Sequence, residues 1–281
     1  MIRIVYIASF FMFFFSLMSC KSASDNNFPE NIKIKDLAPI SDNNSPQVNL
    51  LKTLNLDLQV LEIPEENFNK LGEIRRTLSI RPIKFNNYLA FSENSFSAYY
   101  GRNQTLRSVY DLLKIAGAQN VTGTAILLPD GVSEDFPIKP LPQMQTVSYN
   151  SIKGSPEAAR VGPGIIAMHI MVEKANSIDD AATVTILPIF TVSKKSTLPE
   201  LSLREKLRDF PFTSVALQLN MTPGDFIVLA PERLITDQTT LCGLFFSNPS
   251  GSLFLNVDEH TLPERKPSIR LYILTCVGLN F

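Results

Sequence analysis

Histidine occurs twice in the 281 residues, cysteine three times and tryptophan never, and neither acidic nor basic residues dominate. Each scarcity excludes something. Cys242 and Cys276 lie 34 positions apart with no second CxxC and no HxxxH nearby, so a zinc site has no ligand set to draw on. The arrangements GxSxG, SxxK, HExxH, GxGxxG and the P-loop are all missing, which moves the expectation away from an enzyme and from any cofactor. With 26 Lys+Arg against 27 Asp+Glu and no basic run, a surface that tracks nucleic-acid phosphates is excluded as well. The apolar run at Ile4 to Phe15 falls short of the roughly 20 residues a spanning helix needs.

That run has a different layout. Arg3 precedes it, and Leu17-Met18-Ser19 follows it directly before Cys20, the order of charged, apolar and small-residue regions in a secretory signal. Leu17, Ser19 and Cys20 resemble the lipobox of a bacterial lipoprotein, from which Met18 departs. The resemblance implies removal of residues 1–19 and acylation of Cys20 at its thiol and its new amino group. Each buried methylene of those chains holds the protein to the membrane by about 0.8 kcal/mol. Lys21 replaces the aspartate that retains a lipoprotein on the inner membrane, which favours the outer membrane, facing the periplasm. An ordinary cleaved signal and a single membrane anchor are the alternatives. Loss of Arg3 leaves 25 Lys+Arg against 27 Asp+Glu, a net charge of −2.

Residues 20–50 are rich in Asn, Asp, Ser and Pro and bury too little apolar surface to offset their ordering, so they read as a tether behind the lipidated cysteine. Folded structure is expected from residue 51. Leu54, Leu56, Leu58 and Val60 alternate with Asn55, Asp57, Gln59 and Leu61, the period of a half-buried strand. Phe68, Leu71, Ile74 and Leu78 have helical spacing, as do Leu106, Val109, Tyr110, Leu113 and Ala116, the second helix ending at Gly117. Between them, YLAFSENSFSAYYGRN reads as a hairpin turning at SENS. Residues 51–118 are therefore expected to form a small α+β subdomain.

Beyond residue 118 the signals are almost all β. GIIAMHIMVEK places Ile166, Met168, Ile170 and Val172 on one face and Ala167, His169, Met171 and Glu173 on the other, with TVTILPIFTVS as its hairpin partner. SVALQLN, MTPGD and FIVLAP read as a second hairpin, and GSLFLNVD and SIRLYILTCVGL as further strands. The expected fold is α+β and mostly β, with residues 119–281 forming an antiparallel β sandwich or partly open barrel.

Candidate site residues are few. His169 alternates with apolar residues and reads as a hydrogen-bonded sheet histidine. Asp258, Glu259 and His260 would be the acid–base set of an envelope hydrolase if they converged, although neighbours on an extended chain point to opposite faces. In an oxidising compartment Cys242 and Cys276 can form one disulfide, or remain as buried free thiols.

The C-terminal third resembles the end of the secretin homology domain. Gly224, Val228 and Leu229 match a turn and strand of the form GxxVVLGGL. Leu244 and Phe245 match the Leu-Phe pair that follows, and Leu271, Ile273, Leu274 and Thr275 a closing strand of the form ELLIFLTPRIV. Ala230-Pro231 replaces the Gly-Gly, Cys276 replaces a proline, and the VPxLGxxP loop is missing, so the resemblance over residues 165–280 does not imply a pore. The expectation drawn from the whole sequence is an envelope lipoprotein, attached through acylated Cys20, that binds or scaffolds an envelope protein partner without catalysis. A secretin-related component of an envelope assembly and an envelope hydrolase are the alternatives.

Overall fold

Alternation in the first strand is realised as burial: the side chains of Leu54, Leu56, Leu58 and Val60 are all inside in the computed structural model. The structure describes residues 52–175, 180–192, 209–249, 251, 253–256 and 264–280. The signal, Cys20 and the tether, together with Asp258, Glu259 and His260, lie outside the described residues. In chain order the elements begin with β1 (Thr53–Pro64), a 3-10 turn at Glu65–Lys70, α1 (Leu71–Thr77), β2 (Lys84–Phe85), α2 (Tyr88–Glu93), β3 (Phe96–Arg102) and α3 (Asn103–Ile115). Then come β4 (Gln119–Pro129), β5 (Ser133–Leu141), β6 (Gln145–Asn150), β7 (Pro156–Val161), β8 (Gly164–Lys174), β9 (Ala182–Thr191), β10 (Phe210–Pro211) and β11 (Leu217–Met221). The chain closes with β12 (Asp225–Pro231), α4 (Leu241–Phe246), β13 (Ser247–Asn248), β14 (Leu255–Asn256), β15 (Glu264–Arg265) and β16 (Ser268–Asn280).

Two antiparallel sheets carry the fold. The first has the order β3-β12-β16-β1-β4, with β13 also on β16. The second has the order β2-β11-β9-β8-β5, with β10 also on β9. Neither closes into a barrel. The inward faces meet in one apolar layer that includes Leu56 and Leu58 of β1, Ile170 and Val172 of β8, Ile186 of β9 and Leu274 of β16. On the opposite side of the first sheet, Leu71 and Ile74 of α1 and Val109 and Leu113 of α3 pack on Phe226, Val228, Leu271 and Ile273. The protein is thus mostly β, a sandwich with a helical layer over one sheet. β12 is buried at all seven positions because it is covered on both faces, which explains the apolar run from Phe226 to Pro231.

Three expectations are corrected. The boundary near residue 118 does not divide the fold, because β1 lies between β16 and β4 and the described residues form one unit. A central strand whose two faces serve two cores cannot belong to a separate subdomain. The second hairpin does not form either: β11 pairs with β9 and β2, whereas β12 pairs with β16 and β3. At the turn between them Gly224 takes φ +91, and the Asp225 Oδ2 accepts from the Thr222 amide and hydroxyl, both at 2.8 Å. Gln218 and Asn220 give β11 one polar face, which suits the second sheet, while β12 needs apolar cover on both sides and only the first sheet supplies it. Finally, the stretch expected as a hairpin at SENS is α2 followed by β3. The Asn87 side chain accepts from the Ala90 amide at 3.0 Å and starts the helix, and Ser95 at φ 60 turns the chain into the strand. The strand expected at GSLFLNVD is described only as the two residues of β14.

Candidate functional site

The end of α2, the β6–β7 hairpin and residues 235–242 enclose a groove of about 420 Å³, a size within the roughly 300–1,000 Å³ of small-ligand sites. Asn94 assembles it. Its side chain is buried, Nδ2 donates to the carbonyls of Ala90 and Asn150 at 2.8 Å each, and Oδ1 accepts from the Asn150 amide at 2.8 Å. The Ser148 amide donates to the Thr239 carbonyl at 2.7 Å and binds the hairpin to the third wall. Leu241 and Cys242 supply an apolar floor, because α4, started by a Thr240 hydroxyl that accepts from the Gly243 amide at 3.1 Å, is buried at every position. Two exposed carboxylates, Glu93 and Glu157, stand on the rim.

The rim chemistry is fixed by one short bond. The Tyr149 hydroxyl donates to Glu157 Oε2 at 2.8 Å. Burial, reinforced by this bond, pushes Tyr149 up to about 12, while the same bond holds Glu157 below the ordinary carboxylate range. At neutral pH the phenol is a donor and the carboxylate an anion. Glu93, exposed at the rim, makes no hydrogen bond to a described residue.

His169 stands on the outer face of the second sheet, its Nδ1 2.6 Å from Asp135 Oδ1 on the adjoining strand β5. Both side chains are about a quarter exposed, and an open groove of about 820 Å³ with Ser133 and Leu187 lies over them. Among the described residues no group of three or more His, Cys, Asp or Glu could hold a metal ion. No described helix is long and apolar enough to cross a membrane.

A charged pair that sequence reasoning missed lies between the sheets. Glu62 is fully buried, and its Oε1 accepts from Arg270 Nε and Asn248 Nδ2 at 3.0 Å each while Oε2 accepts from the Ser268 hydroxyl at 3.1 Å. Arg270 Nη1 reaches across to the Ile138 carbonyl on β5 at 3.2 Å, so the pair fastens one sheet to the other. Burial and the Arg270 charge lower the neighbouring Lys139. The signal was present in the sequence, since Glu62 continues the inward parity of Leu54, Leu56, Leu58 and Val60.

Cys242 and Cys276 are both free and buried, so the disulfide alternative is not realised. Their positions explain why. The Cys242 thiol donates to the Ser95 carbonyl at 3.5 Å, just before β3 begins. The Cys276 carbonyl instead accepts from the Gly224 amide, beside Asp225, which pairs with Arg102 at the other end of β3. Six or seven strand residues separate those ends, about 20 Å at the rise of an extended chain, where a disulfide tolerates about 7 Å between Cα atoms. Burial pushes each thiol up to about 12, so neither is a nucleophile at neutral pH. The unfolded, non-reduced mature protein will therefore take up alkylating reagent at both positions, read by intact mass. Uptake only after reduction would overturn the assignment.

No family model matches the chain, and no curated protein matches it either. Among solved structures it is similar to a chain described as the type II secretin GspD from enteropathogenic Escherichia coli, at 10% identity over 81% of this chain and 70% of that one, with a TM-score of 0.23. A likeness at that score does not establish a shared fold. The residues that carry the sequence resemblance are divided among elements: Val228 and Leu229 in β12, Leu244 and Phe245 in α4, and Leu271 and Ile273 to Thr275 in β16, where Val228 faces Ile273.

Proposed function

We propose that this protein is an envelope lipoprotein with a binding or scaffolding role, held by acylated Cys20 at the outer membrane, facing the periplasm, and reaching an envelope protein over the tether of residues 20–50. The observation that supports binding is the groove between α2 and the β6–β7 hairpin. Its walls are held by the Asn94 and Ser148 bonds and so are formed before any partner arrives. Its rim carries the Glu93 and Glu157 carboxylates over an apolar floor, a combination that suits a basic side chain with an aliphatic stem. Catalysis by the floor thiol has no support, since Cys242 is buried and protonated.

In-cell crosslinking of wild type, Cys20→Ala and Ala158→Arg tests the proposal. Ala158 is exposed on the groove wall, so arginine there fills the groove and opposes its charge without entering the core. Cys20→Ala is expected to leave the membrane fraction or to accumulate as uncleaved precursor, and Ala158→Arg to lose its crosslinked partner with an unchanged melting temperature. Identical fractionation or identical crosslinks would overturn the anchor or the groove respectively. Turnover of an ester, peptide, glycan or phosphate substrate by the purified protein would overturn the non-catalytic role.

A further inference from the structure

A sheet edge displays unpaired backbone donors and acceptors, and proteins defend such edges with proline, charge, short length or cover. The two large sheets have four terminal strands, and three of them are defended in that way. β2 is two residues long. β5 carries Pro137 and Pro140 together with Glu134, Asp135 and Lys139. β3 is covered where Ser79 exchanges both backbone hydrogen bonds with Tyr100, at 3.1 and 2.7 Å. The fourth, β4, has none of these four, its one irregularity being a bulge at Val121, which the β1 register skips between Thr122 and Asn120. It runs for eleven residues without a charged side chain and without proline before Pro129 at its end. On one side it pairs with β1, and among the described residues no strand pairs with the other side.

Beyond Gln119 at its start, the outward row is apolar or without a side chain: Val121, Gly123, Ala125 and Leu127 are all exposed, Leu127 at 64%. The row also reads nearly the same in both directions. If a second β4 runs antiparallel about Thr124, Val121 falls opposite Leu127 of the second copy, Gly123 opposite Ala125, and Thr124 opposite itself. Residues directly opposite in an antiparallel pair share a face, so the exposed apolar row meets only its own kind. A two-fold axis sets each residue near it against its like, and a charge in the strand would then be repelled by its own copy. The absence of charge over the whole of β4 satisfies that condition.

We infer that β4 is a homodimerisation edge, on which the β4 strand of a second copy of this chain pairs antiparallel about Thr124 and joins the two five-strand paths into one continuous sheet. Less the bulged position in each copy, the paired stretch supplies about eight inter-strand hydrogen bonds, within the range of an ordinary protein interface. No residue of β4 lines the groove between α2 and the β6–β7 hairpin, so the inference stands independently of the function proposed for that groove.

Light scattering on the full chain in detergent, with the detergent contribution subtracted, reads the protein mass. The wild type is expected at twice the chain mass. Leu127→Lys, an exposed change that leaves the core untouched, is expected at half the wild-type value with an unchanged melting temperature. The double variant Val121→Glu, Leu127→Lys sets opposite charges against each other twice across the axis and is expected to regain the doubled mass. A monomeric wild type at high micromolar concentration would overturn the inference, including the case in which a strand of another protein occupies the edge. A dimeric Leu127→Lys, or a double variant that remains monomeric, would overturn the edge or the register respectively.

Discussion

Arg270→Ala is expected to destabilise the protein by about 3–5 kcal/mol, because it takes the Arg270 guanidinium away from a fully buried carboxylate. Glu62 has no exposed surface, and the Asn248 and Ser268 side chains that also bond to it are neutral donors that cannot replace the guanidinium. The same substitution removes the bond from Arg270 to the Ile138 carbonyl and so unfastens the sheets at that end. For a domain of this size the melting temperature should fall by roughly 10 °C. Glu62→Ala should cost less, since the Arg270 side chain is 22% exposed and can turn to water. Lys266→Ala provides the comparison. Its partner Glu66 is a surface carboxylate, and exposed pairs contribute about 1 kcal/mol or less. Thermal melts of the three variants should therefore rank Arg270→Ala as most damaging and Lys266→Ala as least. An Arg270→Ala protein that melts with wild type would remove the sheet-fastening role.

Ile170→Asp should cost more than about 4 kcal/mol, and His169→Ala, one position away, about 1 kcal/mol. Ile170 is fully buried between the sheets, opposite Glu134 on one neighbour and Ile186 on the other. A carboxylate there would enter an apolar layer with no cation facing it. His169 points to the outer face, and its removal leaves Asp135 partly exposed and able to hydrate. Denaturant titrations of the two variants would measure the difference, and equal damage would refute the assignment of faces on β8.

The parts that local sequence made legible are those with strong periodicity. β1 and β8 have the expected faces, and α1 and α3 present Leu71, Ile74, Val109 and Leu113 to the sheet at helical spacing. α2 was concealed because it is only six residues long and its N-terminal signal is a single asparagine, Asn87, inside a stretch rich in strand-forming aromatics. The groove was not legible at all. It is assembled by bonds between residues far apart in the chain, Asn94 with Asn150 and Ser148 with Thr239, and each of these residues is an ordinary loop or strand residue when read alone.

By itself the sequence determined the class: a mostly β protein with two amphipathic helices, an apolar core of alternating strands, no motif-bearing catalytic site and a lipobox-like start. Tertiary structure decided where each strand went. Periodicity records which side chains avoid water and not what they pack against, so β11 and β12, adjacent in the chain, entered different sheets once a helical layer existed to cover the second face of β12. The same reason separates the two cysteines. Both occupy apolar sequence, and only the placement of β3 between them sets one thiol near Ser95 and the other near Asp225, too far apart to bond.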